Sequence, residues 1–196
     1  DVFSGSLTRE VGEIVGTYII NQGTLDVGSN YTFVFDTAQF KITPRPITAT
    51  ADPKIKTYGD SDPALTYTVT GTLAYSDAFV GSLSRTTGEN IGAYAINQGS
   101  LALNSNYTLT YVLDSLIIGT RAVTVAADTL TKVYGDTDPS LTYAITAGTL
   151  VSGDAFTGAL SRVTGENVGV YAVDQNTLAL SGNYALTYVG ADLTIT

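Results

Sequence analysis

The chain has 196 residues, 44% of them apolar and 14% charged, which is enough apolar content for packed cores. Nine basic against eighteen acidic residues give a net charge of −9, and this excludes the basic surfaces that grip nucleic acid or anionic membranes. Cys, His, Met and Trp are all absent, which removes thiol nucleophiles, Cys or His metal sites, Ser-His-Asp arrangements and disulfides.

The first segment, "DVFSGSLTREVGEIVGTY" at 1–18, recurs as "DAFVGSLSRTTGENIGAY" at 77–94 and "DAFTGALSRVTGENVGVY" at 154–171. "INQGTLDVGSNYTFVF" at 20–35 recurs at 96–112 and 173–189, and "ITATADPKIKTYGDSDPALTYTVTGTL" at 47–73 matches 123–150 with Ala147 inserted. The period defines two full units, 44–120 and 121–196, preceded by the C-terminal half of a third at 1–43. A chain opening in mid-repeat is expected to be cut from a longer array, or to have residues 1–43 completed by a neighbouring copy.

Within each unit the local signal is strand after strand. "LTYTVTGTL" alternates Leu65, Tyr67 and Val69 against Thr; "YAINQGSLAL" carries Tyr94 and Ile96 with a turn at Asn97 to Gly99; "NYTLTYVLDSLII" alternates Tyr107, Leu109 and Tyr111. Short Gly and Asn clusters between runs predict an all-β fold of tandem small antiparallel β-sandwiches, immunoglobulin-like. "DAFTGALSR" is the ambiguous segment, since Phe156 and Leu160 share a helical face; a helix there would make each unit β-grasp-like, α+β. Gly158 at its centre costs a helix about 1 kcal/mol relative to Ala and favours a strand. Gly92 before Tyr94, like Gly16 before Tyr18, is similar to a tyrosine corner.

"TYGDSDP" and "VYGDTDP" place Asp60, Asp62 and Pro63, and again Asp136, Asp138 and Pro139, ahead of a strand. Gly59 and Gly135 supply positive φ, Pro presets a turn, and Asp side chains bond backbone two residues on, so turn chemistry accounts for the motif. The competing reading is Ca²⁺ held by Asp60 and Asp62, or Asp136 and Asp138; two acids at i and i+2 only begin the six to eight oxygens such an ion takes. No other cofactor is expected. Glu89 and Glu166, with Asp77 and Asp154 upstream, make conceivable acid–base pairs, but recurrence in every unit marks them as loop and ion-pair residues, with Arg85, Arg162 and Arg9 as partners in surface pairs of small worth. No catalytic residue is assigned. "NYT" at 30–32 and 106–108 becomes "NYA" at 183–185 and reads as a strand-opening Asn rather than a glycosylation signal. Lys56 and Lys132 suggest isopeptide crosslinks only if a buried acid lies beside them.

"VYGDTDPSLTY", "GTLVSGDAFTGALSR", "TGENVGVYAV" and "NYALTYVGADLTIT" together resemble the MBG domain of the YGX type, a tandem repeat of large bacterial surface and secreted proteins, including adhesins and filamentous-haemagglutinin-like exoproteins. The resemblance covers nearly the whole chain. It implies a non-enzymatic extracellular repeat in arrays between an anchoring end and a binding end, and it supplies no catalytic residues. "TPRPITATA" at 43–51 resembles the joint between neighbours, and "IGTRAVTVAA" at 118–127 is its prolineless counterpart.

These readings converge on a stalk or spacer of a bacterial adhesin or extracellular matrix fibre at the cell surface. Its partners are neighbouring repeats of the same chain and, through edge strands or strand exchange, other copies in a filament of biofilm type. The alternative is a module that itself binds glycan or protein, a host or matrix ligand, through exposed Tyr and Asn. An enzyme is the third class, and it requires acids converging in one unit only.

Overall fold

A computed structural model describes residues 2–196. Strands β1 to β17 account for every regular element described, so the expected all-β fold holds. The ambiguous "DAFTGALSR" is extended: Thr157 bridges Ala179, and a side chain at Gly158 would collide with the carbonyl oxygen of Thr177. That close approach, rather than helix propensity, fixes glycine there.

The chain divides into two compact units, and both draw on residues 44–120. Among the described residues the first comprises 2–52, 66–84 and 97–113. It holds an antiparallel sheet in the order β1 (Thr8–Arg9), β2 (Gly16–Asn21), β3 (Ala38–Ile42), and a second sheet in the order β6 (Tyr67–Thr70), β4 (Arg45–Ala51), β9 (Tyr107–Val112). Alternation along "RPITATA" turns Ile47, Ala49 and Ala51 inward, as the period of two requires. Tyr67 packs on Phe79 with ring centroids 5.2 Å apart.

The second unit comprises 53–65, 85–96 and 114–196. Apart from the end residues Ser84 and Asn97, it contains the sheet β5 (Lys54–Thr57), β10 (Asp114–Gly119), β8 (Gly92–Asn97), β7 (Ser84–Arg85). It also contains the sheets β13 (Tyr143–Ala147), β11 (Arg121–Ala127), β16 (Tyr184–Val189) and β12 (Leu130–Lys132), β17 (Ala191–Ile195), β15 (Gly169–Asp174), β14 (Ser161–Arg162). One core gathers Val123, Val125, Leu178 and Tyr184, another Ala127, Val173 and Leu193; Leu160 and Tyr188 pack against both.

Four of the five described sheets are mixed rather than purely antiparallel. β4 runs parallel to β9, β5 to β10, β11 to β16 and β12 to β17. Partners such as Arg45 and Tyr107 lie far apart in sequence, so no local pattern announces them. "NYTLTYVLDSLII", which reads as one alternating run, is cut at Leu113 into β9 and β10, and the two halves join different sheets.

Candidate functional site

The densest polar cluster is built on the YGD turn. Lys56 lies at the end of β5, where its parallel pairing with β10 sets it opposite Ile118. Its side chain is 4% exposed, and its ammonium donates to the Asp60 carbonyl at 3.2 Å, Asp62 Oδ1 at 2.7 Å and Glu89 Oε2 at 2.5 Å. A lysine ammonium has three protons, and all three are used. Arg85 closes the ring: Nε donates to Asp62 Oδ2 at 2.5 Å and Nη2 pairs with Glu89. The same set recurs as Lys132, Asp136, Asp138, Glu166 and Arg162, with Lys132 Nζ 2.6 Å from both carboxylates.

Charge sets the titration of the cluster. Arg85 and then Lys56 hold the Asp62 carboxyl below its ordinary 3.8, at about 2, and Arg162 with Lys132 does the same to Asp138. Glu89 is lowered by Lys56 and Arg85, while Lys56 is raised by Asp62 and Glu89. A lowered carboxyl is the wrong direction for a general acid.

These geometries revise several expectations. Three of the aspartates turn to cations and not to the backbone: Asp62 and Asp138 reach Lys and Arg, and Asp60 pairs with Arg121. Arg85 is not in an isolated surface pair, being 11% exposed and joined through Asp62 and Glu89 to the buried Lys56. Lys56 and Lys132 do have acidic neighbours, but Asp62 and Glu89, like Asp138 and Glu166, are exposed, so the buried acid that crosslinking requires is not there. Isopeptide formation also needs a neutral amine, and these carboxylates hold the amine protonated. Intact mass spectrometry is therefore expected to return the uncrosslinked mass; loss of one water per full repeat would show a Lys–Asp or Lys–Glu bond.

The metal candidates Asp60, Asp62 and Asp138 face protein cations, and among the described residues no three acidic groups, Asp136 included, converge as a metal site would require. In each turn the ammonium stands where a cation would be wanted. Millimolar Ca²⁺ is expected to leave the thermal midpoint unchanged, because both Asp62 oxygens already face protein cations; a rise would return these turns to the metal-site reading.

The tyrosine corner forms in all three copies: Tyr18, Tyr94 and Tyr171 donate their hydroxyls to the carbonyls of Ile14, Asn90 and Asn167 at 2.7 to 2.8 Å. The glycine that matters is not Gly92 but Gly88, with φ +145°, since a side chain there would overlap the Tyr94 ring. Arg85 stacks over the same ring at 5.5 Å and donates to the Gly88 carbonyl at 2.7 Å. Gly88→Ala is expected to cost about 2 kcal/mol, from backbone strain and displacement of the ring, measured by urea unfolding.

A second cluster marks where one repeat meets the next, within the second unit. Tyr58 lies edge-on to Tyr184, ring centroids 5.5 Å apart, and both hydroxyls donate to Asp154 Oδ2, at 3.0 and 2.6 Å. Arg121 Nε donates to the Tyr58 carbonyl at 2.7 Å while Nη2 pairs with Asp60. Asn183 accepts from the Ile91 amide at 3.0 Å and donates to Asn90 at 2.9 Å. Asp154, considered above as a catalytic partner for Glu166, is occupied by these phenols. Sequence reading passed over this cluster, although the recurrence of Arg45 as Arg121 and of Asp77–Tyr107 as Asp154–Tyr184 carries the signal.

The sequence profile of the MBG domain (YGX type) matches residues 1–41, 47–116 and 123–194. The chain belongs to this family. No curated protein and no solved structure matches it. MBG domains are structural repeat modules of extracellular surface proteins, and in this chain Tyr58, Gly59 and Asp60 lie where one MBG repeat is fastened to the next. Among the described residues no helix is long and apolar enough to cross a membrane.

Proposed function

We propose that the chain is a stretch of the stalk of a bacterial surface adhesin or matrix fibre, non-enzymatic and displayed outside the cell, in which the number of MBG repeats sets reach. The observation that supports this most is the duplication of the Lys–Asp–Glu–Arg cluster in register. Lys56 and Lys132, and Glu89 and Glu166, occupy equivalent places with equivalent partners, and Asp77 and Asp154 each accept from the equivalent tyrosine, whereas catalysis needs one convergent site. The Tyr58 seat supplies a reason why successive repeats hold a fixed spacing. The net charge of −9 favours mutual repulsion between neighbouring stalks at low salt.

Small-angle X-ray scattering on chains carrying increasing numbers of repeats tests this reading. The maximum dimension is expected to rise by a constant increment per repeat, on the order of the 20 Å that a six-residue strand spans. A dimension that plateaus, or saturable glycan binding by a single repeat, would replace the stalk with the adhesive-module reading.

A further inference from the structure

Tyr58 and Tyr184 are the two phenols of the repeat joint, and their placement exceeds what a packed joint needs. Tyr67 on Phe79 and Tyr143 on Phe156 pack with ring centroids 5.2 Å apart, so in such contacts one of the two rings does without a hydroxyl. At the joint both rings carry one, and both hydroxyls donate to a single atom, Asp154 Oδ2. The two phenolic oxygens are therefore no farther apart than those two hydrogen bonds laid end to end. The same convergence draws together the ring carbons beside them, the ortho positions, with the ring centroids 5.5 Å apart at an interplanar angle of 78°.

The two rings are held differently. Tyr184 opens β16, is 7% exposed, and its oxygen also accepts from the Val151 amide at 2.8 Å. Tyr58 follows β5 in the YGD turn and is half-buried. The hydrogen bond to Asp154 raises the Tyr58 phenol above its ordinary 10.0, and burial raises that of Tyr184. Both are protonated at neutral pH, so a one-electron oxidation of either ring has to move its proton as well, and Asp154 Oδ2 is the acceptor in place. Tyr58, Asp154 and Tyr184 recur one period away as Tyr134, Asp77 and Tyr107, so each full repeat carries one of each part.

We propose that Tyr58 and Tyr184 are a modification site at which a peroxide oxidant, delivered by a peroxidase, joins them as dityrosine and so bolts one repeat covalently to the next. Each phenol gives up one electron to the oxidant and its hydroxyl proton to Asp154, one ring after the other, and the proton passes on to water. The two phenoxyl radicals form a carbon–carbon bond between ortho positions, and the ortho hydrogens move to the phenolic oxygens as the rings regain aromaticity. The pair has then lost two electrons and two protons, which reduce one molecule of hydrogen peroxide to two of water. Holding both rings in one seat makes the coupling intramolecular, which favours it over encounters between chains. The stalk reading needs only the noncovalent seat; the cross-link holds the joint even when tension opens that seat.

Dilute full chain treated with hydrogen peroxide and a haem peroxidase tests the site. The monomer is expected to lose the mass of two hydrogens, to gain dityrosine fluorescence and to yield, on proteolysis, a joined peptide containing Tyr58 and Tyr184. Tyr58→Phe keeps the ring and is expected to lower the yield of this product at least tenfold. Asp154→Asn keeps both phenols and is expected to slow the reaction at least fivefold. Circular dichroism and the thermal midpoint verify that both variants are folded. Concentrated chain supplies the control for the oxidant, since exposed phenols such as Tyr75 then couple between chains. Such coupling beside a dilute monomer of unchanged mass, a product that persists in Tyr58→Phe, or a joined peptide lacking either residue overturns the proposal. Any of these alongside a constant scattering increment per repeat leaves the stalk standing.

Discussion

Replacing Lys56 by alanine is expected to destabilise the second unit by about 2–3 kcal/mol. Removing one member of a buried pair costs about 3–5 kcal/mol, and the lower figure applies because Asp62 and Glu89 face water on one side and keep Arg85 as a partner. Loss of the ammonium also releases the Asp60 carbonyl and with it the YGD turn. Urea unfolding of the variant checks this, and a change below about 0.5 kcal/mol would reduce the network to a surface decoration. The same ions fix the pH profile. Asp62 and Asp138 titrate near 2 when folded against an ordinary 3.8, so the unfolded chain binds more protons between those values. Their contribution is full above about 4 and drains as pH falls towards 2. Lys56 and Lys132 are raised above 10.5, so their contribution is full below that value and is lost as pH rises through the folded one. A stability plateau bounded by those two limits is the expected curve.

Tyr58→Ala is expected to cost about 3 kcal/mol, because it empties an aromatic seat and removes a hydroxyl from Asp154. Tyr58→Phe keeps the ring and is expected to cost about 1 kcal/mol. The difference separates packing from hydrogen bonding. A double-mutant cycle of Tyr58→Phe with Asp154→Asn is expected to show coupling, since one carboxylate oxygen serves both Tyr58 and Tyr184. Strict additivity of the two changes would mean that the seat is not a fastening.

Much of this was legible from residue order. Period two located β6, β8 and β9, positive φ at Gly59 and Gly135 followed from the turn motif, and the Tyr94 corner followed from its spacing. What escaped was whatever depends on distant partners. The parallel pairing of β4 with β9 has no local signature, and neither does the burial of Lys56, which reads as a solvated charge until Asp62 and Glu89 are brought to it. Gly92 lies nearer Tyr94 in sequence, but it is Gly88 against which the Tyr94 ring comes to lie. The Asp60–Arg121 pair spans a repeat boundary, so a motif read inside one repeat shows only half of it.

The parallel pairs also have a mechanical side. Pulled from its two ends, a repeat such as 121–196 is loaded through its first strand, β11, and its last, β17, and each lies parallel to a neighbour, β16 and β12. Tension drags each strand lengthwise past that neighbour, so the hydrogen bonds of the pair bear force together in shear instead of opening one after another as a hairpin peeled from its end would. A repeat clamped in this way at both ends yields only when several hydrogen bonds break together, so its resistance to abrupt tension is set by the shear geometry and not by equilibrium stability alone.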